Sequence, residues 1–182
     1  MRIISGSLGG RTIRAPRGDR TRPTADKVRQ ATFNILHNLG PITTCGTVLD
    51  LYAGSGALGL EALSRGATRA TFVDHGSESV RCIAANARDL GVTEKVDIVR
   101  ADLPAALARL HGPFDLVFID PPYAAGAVEP VLALLPPLLA PDALVVVEHD
   151  RRSAPGPQIG PLSLQDRRRY GDTEVSFYTC SH

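Results

Sequence analysis

The sequence lacks the ingredients of several protein classes. It has no long uninterrupted apolar run. The longest apolar region, 131–147, is broken by Pro136, Pro137, Pro141 and Asp142 and cannot form a membrane span. The opening residues, Met1-Arg2-Ile3-Ile4-Ser5-Gly6, carry no signal-peptide apolar core. Cysteine is scarce and odd in number (Cys45, Cys82, Cys180), widely spaced and without metal-ligand spacing. This argues against a disulfide framework or a metal site and points to a reducing, cytoplasmic setting. Internal repeats and low-complexity tracts are also absent. Net charge is only +1 over 182 residues, which by itself indicates no polyanionic partner.

What is present is globular in composition: 43% hydrophobic and 21% charged, enough for one ordinary domain with a small addition. The near-neutral total hides an asymmetry. Residues 1–36 hold eight basic side chains (Arg2, Arg11, Arg14, Arg17, Arg20, Arg22, Lys27, Arg29) against Asp19 and Asp26, and the remainder is net acidic. A basic N-terminal arm on an acidic body suggests a polyanion contact confined to the arm.

Residues 2–6 and 11–15, separated by Leu8-Gly9-Gly10, read as a β-hairpin. Thr24 is a candidate N-cap for a helix running to Leu39, with Gly40-Pro41 as its stop. The pattern then alternates. Strands are expected at 47–51, 70–73, 96–99, 114–119 and 143–147, and helices at 57–65, 77–90, 103–110 and 128–135. A Pro- and Gly-rich loop follows at 150–161, then a hairpin of 162–170 and 174–180. Near-continuous apolar strands are buried on both faces. The expected fold is therefore α/β, a mostly parallel seven-stranded sheet with helices on both sides and antiparallel strands at one edge. Residues 1–40 form an appendage and 41–182 the main domain.

The acids Asp50, Asp74, Asp102, Asp120 and Glu148 each fall at a strand end, where ligands of open α/β sheets bind. Gly54-Ser55-Gly56-Ala57-Leu58-Gly59 satisfies G-x-G-x-x-G, and Asp74 lies at a ribose-binding distance. A nicotinamide oxidoreductase is one reading. Asp50 just before the loop disfavours a pyrophosphate there and favours a donor bearing an ammonium group. The D-x-x-x-G-x-G form suits S-adenosylmethionine. Asp50 would hold the amino group directly or through water, Asp74 the ribose hydroxyls and Asp102 the adenine amine. Tyr52, Ala53, Gly54, Ser55, Gly56 and Leu103 complete the candidate cofactor site. At the second tip, Asp120-Pro121-Pro122-Tyr123 offers a carboxylate, a carbonyl beside a nitrogen without a hydrogen, and an aromatic face. An exocyclic amine of a nucleobase can donate to both acceptors and stack on Tyr123.

The stretches Arg2–Gly6 with Gly10-Arg11, Arg22–Arg29, Phe33–Leu36, Asp50–Gly59 and Asp120–Tyr123 resemble the RsmD family, bacterial guanine-N2 methyltransferases of small-subunit ribosomal RNA. The resemblance spans nearly the whole chain. It implies a Rossmann-like class I methyltransferase fold and S-adenosylmethionine as donor, with no metal. It also implies N2-methylguanine as product, made on 16S RNA within the 30S particle by a monomeric protein. It directs RNA contact to Arg11, Arg22, Pro23, Thr24, Lys27 and Arg29. Roles for Arg151, Arg152 and Arg167 to Arg169 stay open. DNA adenine-N6 methyltransferases share Asp-Pro-Pro-Tyr but carry a larger target-recognition insertion. Protein glutamine-N5 methyltransferases typically have Asn at the position of Asp120. A non-catalytic RNA-binding module is a further reading, against which the intact Asp120 tip argues.

Overall fold

The computed structural model describes residues 1–16, 23–39, 46–122 and 128–180. The order of elements is α1 (Pro23–Leu39), β1 (Thr47–Leu51), α2 (Ala57–Ser64), β2 (Arg69–Asp74), α3 (Ser77–Leu90), β3 (Val96–Arg100), β4 (Phe114–Ile119), α4 (Val128–Leu134), β5 (Leu139–Asp150), β6 (Gln158–Ile159), β7 (Leu162–Tyr170) and β8 (Thr173–Cys180). They form one sheet in the order β3-β2-β1-β4-β5-β8-β7-β6. Strands β1 to β5 are parallel, and β8, β7 and β6 extend the β5 edge antiparallel. The strand order reverses between β1 and β4, so their carboxyl ends flank the crevice of a doubly wound sheet. The glycine loop leaves one of these strands and the Asp-Pro-Pro segment leaves the other.

Apolar cores lie on both faces of the sheet. On one face α1, α2, α3 and the N-terminal segment pack around Phe33, Phe72, Phe118 and Phe177. On the other, α4 and the short 3-10 turns pack around Leu49, Val117, Val145 and Tyr178. In α1, Val28, Thr32, Phe33 and Leu36 are all buried, one helical face turned to the sheet. Phe33 meets Phe118 with ring centroids 5.5 Å apart, and the Arg65 guanidinium sits 4.7 Å above the Phe33 ring. Helix α1 thereby lies over the carboxyl end of β4.

Several elements differ from expectation. The N-terminal hairpin reduces to a single antiparallel bridge, Arg2 to Thr12. Backbone bonds still cross it, from the Ile3 N–H to the Arg11 carbonyl, from Gly10 to Ile3 and from Ile13 to Met1, and side chains of the body take other groups. Glu61, fully buried on α2, accepts the N–H groups of Ile4 at 2.7 Å and Ser5 at 3.0 Å. Ser64 accepts the Leu8 N–H, and the buried Asn86 accepts the Arg14 N–H and donates to the Arg14 carbonyl. Gly6, at φ 83°, presses so closely on α2 that a Cβ there would lie 1.9 Å from the Ser64 carbonyl oxygen. Thr24 lies inside α1, which begins at Pro23, a residue suited to a first helical turn.

The helix expected at 103–110 is a five-residue 3-10 turn, Ala105–Arg109. Strand β5 starts earlier than expected and absorbs Pro141 and Asp142 in a bulge, Asp142 taking φ 60°. The sheet has eight strands rather than seven, because Gln158–Ile159, inside the expected loop, pairs with β7.

Glu61 also accepts from Arg65 Nε at 2.7 Å. Glu61→Ala leaves Arg65 and two backbone N–H groups without that partner inside the protein, and stability should fall by about 3–5 kcal/mol. Chemical denaturation of the variant measures the loss; a change below about 1 kcal/mol would show that water replaces the carboxylate there.

Candidate active site

The glycine loop is built by strain-tolerant residues and two carboxylates. After β1 the chain passes through left-handed backbone at Tyr52 (φ 59°), Gly54 (φ 55°) and Gly56 (φ 78°) before entering α2. Tyr52 is half-buried, and burial raises its phenol pKa. The Ala53 N–H donates to the Val73 carbonyl, and the Gly56 N–H closes back on the Ala53 carbonyl at 2.7 Å. Ser55 is buried, its carbonyl accepting from Asn86 Nδ2 at 2.9 Å. Because Asn86 also grips Arg14, one amide joins the N-terminal segment to the glycine loop.

Asp74 ends β2 and accepts the Gly54 N–H at 2.9 Å on one oxygen and the Gly76 N–H at 2.8 Å on the other. It staples the glycine loop to the β2–α3 turn. Each of its oxygens keeps a second lone pair. Asp50 is buried within β1 and accepts the Gly59 N–H at 2.9 Å. The approach is close: a Cβ on Gly59 would fall 2.4 Å from the Phe72 ring. Burial pushes the Asp50 carboxyl up to about 7; the Gly59 N–H lowers it, and the nearby Asp74 adds a smaller upward push. A cationic group brought against Asp50 would restore its charge. Asp102 is exposed after β3, and Leu103 is half-buried. The turn, a carboxylate at each neighbouring strand end and the ionisable group beneath the loop together fit an amino-acid-bearing adenosine ligand.

On the other side of the switch point, Asp120 is exposed, Pro121 buried and Pro122 exposed. The Asp120 N–H points to the Leu51 carbonyl at 3.5 Å, tying this tip to the end of β1. The two tips foreseen from sequence are thus side by side. Tyr123 lies outside the described residues, as does Arg22.

The residues expected to face RNA separate. Lys27 is exposed on α1. Beside it, Ile4, Asp26, Gln30, Ala31 and Asn34 line a groove of about 380 Å³. Pro23 and Thr24 belong to the first turn of the same helix. Arg11 is exposed but gives part of its guanidinium to the Leu90 carbonyl at 3.1 Å and to the Asp89 carbonyl, capping α3. Arg29 corrects the expectation. It is 5% exposed, donates to the Arg2 carbonyl and to Asp26, and has its pKa lowered by burial. It holds the N-terminal segment against α1 and does not meet solvent. Its position in the basic stretch could not distinguish it from Lys27. Its spacing from Thr32, Phe33 and Leu36 on the buried face was the available signal. Sequence reasoning also passed over Glu61 and Asn86; a Glu and an Asn on apolar helix faces were the clues. Of the open arginines, Arg167 donates to Ser176 Oγ and the Pro155 carbonyl, and Arg168 pairs with Asp166.

Among the described residues no group of acidic, His or Cys side chains could hold a metal, and no helix is long and apolar enough to cross a membrane. The sheet order, the glycine loop after β1 and the acidic tips define a Rossmann-like α/β protein of the class I methyltransferase fold. A family model described as Conserved hypothetical protein 95 matches residues 1–179. The chain is 38% identical over 183 residues, 98% of each protein, to "Putative rRNA methyltransferase YlbH" of Bacillus subtilis (strain 168). It is 37% identical over 152 residues, 82% of this chain and 75% of the relative, to Ribosomal RNA small subunit methyltransferase D of Escherichia coli (strain K12). The solved structure "Putative methyltransferase yhhF from Escherichia coli" superposes with a TM-score of 0.87 at 33% identity, covering 100% of this chain and 98% of that one. The chain belongs to this family, the RsmD family.

The Asp50 shift has a signed consequence. The folded protein keeps this proton up to about pH 7, whereas the unfolded chain releases it near 3.8. Between those values the folded state binds more protons, so the Asp50 contribution lowers stability as pH rises from 4 to 7, by at most roughly 1.4 kcal/mol per pH unit. Asp50→Asn should remove that slope. Denaturation midpoints of both proteins at pH 4.5, 6 and 8 check it; parallel profiles would show that Asp50 is ionised throughout.

Proposed function

We propose that this protein transfers a methyl group from S-adenosylmethionine to the exocyclic N2 of a guanine in small-subunit (16S) ribosomal RNA, within the assembled 30S particle. The observation that carries this reading is the pairing of two tips across the switch point, the carboxylate-braced glycine loop and Asp120-Pro121. The relatives' names support ribosomal RNA as the substrate class. A cytoplasmic monomer is the corresponding state of the protein.

S-adenosylmethionine supplies an electrophilic methyl group on a sulfonium and leaves as S-adenosylhomocysteine. Asp50 lies where it can neutralise the amino group of the donor, and Gly54 and Gly56 let the backbone approach it. Asp74 has lone pairs left for ribose hydroxyls, and Asp102 is exposed for the adenine amine. Asp120 and the Pro121 carbonyl each accept one hydrogen of the guanine N2 amine, which turns the nitrogen lone pair toward the methyl carbon. As N2 forms the new N–C bond, the C–S electron pair stays on sulfur and one N2 proton passes through Asp120 to solvent. No strong base is required, because the amine acidifies as it is alkylated. Positioning supplies most of the acceleration. Pro122 stiffens the tip and Tyr123 gives the base a stacking face. RNA contact falls to Lys27, to the exposed part of Arg11, to the first turn of α1 with Pro23 and Thr24, and to Arg22.

Labelled methyl transfer to 16S RNA, assembled small subunits and duplex DNA, with the modified nucleoside identified, tests the reading. N2-methylguanosine from RNA or particles is expected; N6-methyladenosine from DNA would replace it. Asp120→Ala should abolish transfer, a loss of at least about 1,000-fold, while calorimetric S-adenosylmethionine binding persists. Full activity in that variant removes the acceptor role. Lys27→Ala should weaken RNA binding and reduce the slope of log affinity against log salt by about one. A loss independent of salt would mean that the charge does not meet phosphate.

A further inference from the structure

Glu148 near the end of β5 is used neither by the fold nor by the chemistry above. Strand β5 is the parallel neighbour of β4, with Phe118 beside Val146 and Ile119 beside Val147. One step further along both strands lie Asp120 and Glu148. Neighbouring strands run about 4.8 Å apart, so the two residues lie side by side at the same rim. Side chains alternate along a strand. Glu148 therefore shares its face with Val146, and its antiparallel partner across β8 is Val175. Val146 and Val175 both belong to the core beneath α1. The carboxyl is half-buried at that rim, and among the described residues no hydrogen bond or ion pair reaches it. Burial pushes its pKa above the usual carboxylate range. A half-buried carboxyl beside two valines and without a hydrogen bond is a cost to folding, which a ligand donor can relieve.

We propose that Glu148 is the specificity residue for guanine, its carboxylate accepting the N1–H of the base whose N2 amine is held by Asp120 and the Pro121 carbonyl. This rests on the guanine-N2 reading above and adds to it the group that reads the ring. In guanine, N1–H and N2–H₂ are adjacent donors on one edge. Two acceptors on β4 and one on β5 match that edge. Adenine and 2-aminopurine present a lone pair at N1, which the carboxylate repels. Discrimination by a polar group left unpaired exceeds what shape alone provides.

The test uses the full protein and RNA, in the particle where that is the substrate, carrying either guanine or 2-aminopurine at the modified position. 2-Aminopurine keeps the amine and lacks N1–H. Its intrinsic reactivity differs from that of guanine, so the readout is the guanine to 2-aminopurine ratio of kcat/KM in wild type divided by the same ratio in Glu148→Gln. A glutamine amide can donate to the 2-aminopurine N1, so this quotient is expected to be on the order of 10 to 100. Donor binding should be unchanged, and thermal stability unchanged or raised, since no internal partner is lost. Glu148→Leu, matched to Val146 and Val175, serves as a second variant and should lose the same preference. A quotient near one in both variants overturns the role of Glu148 while leaving guanine methylation standing. Absence of N2-methylguanosine with the wild type overturns the reading beneath it.

Discussion

Everything near the cleft depends on carboxylates and amides that hydrogen-bond backbone outside the sheet ladder. Glu61 holds Ile4 and Ser5, Asn86 holds Arg14 and Ser55, Asp74 holds Gly54 and Gly76, and Asp50 holds Gly59. A segment such as 1–16, with one short bridge and a few backbone bonds across it, leaves N–H and C=O groups that need partners in the body. Glu61 and Asn86 supply several of them. The four side chains together shape the donor-binding turn and anchor the segment that begins the basic arm.

That arrangement links electrostatics to catalysis. Asp50 is held inside the sheet with a raised pKa because its partner is a single N–H and its surroundings are apolar. A cation arriving at the glycine loop would favour the ionised form of this group. Asp120, in contrast, stands exposed at the neighbouring tip, where a released proton can reach water. Two carboxylates on adjacent strands thus have different environments because one lies under a helix and the other beyond the strand end.

The basic arm is less uniform than its composition. Arg29 is consumed in packing, Arg11 partly in capping α3, and Arg14 pairs with Asp89 on the surface. Lys27 is left on the outer side of α1, and α1 itself is seated over β4 through Phe33 and Phe118. The helix that carries the exposed Lys27 is therefore registered on the strand that leads to Asp120.

The sequence by itself determined the fold class and the two tips. Strand burial on both faces, G-x-G-x-x-G and Asp-Pro-Pro-Tyr are properties of contiguous residues, encoded in local hydrophobicity and backbone permissiveness. The parallel strands fell within a residue or two of expectation except β5, whose start was hidden by Pro141 and Asp142 in a bulge. Tertiary structure alone decided which arginine is buried, that the expected hairpin also bonds to α2 and α3, that a two-residue strand adds an eighth member to the sheet, and that Glu148 stands next to Asp120. Apart from the short strand, which pairs Gln158 with Ser163 and Ile159 with Leu162, these depend on partners far along the chain, such as Ile4 with Glu61 and Arg14 with Asn86. No local pattern specifies which distant backbone group a buried carboxylate or amide will meet; only the packed chain brings the two together.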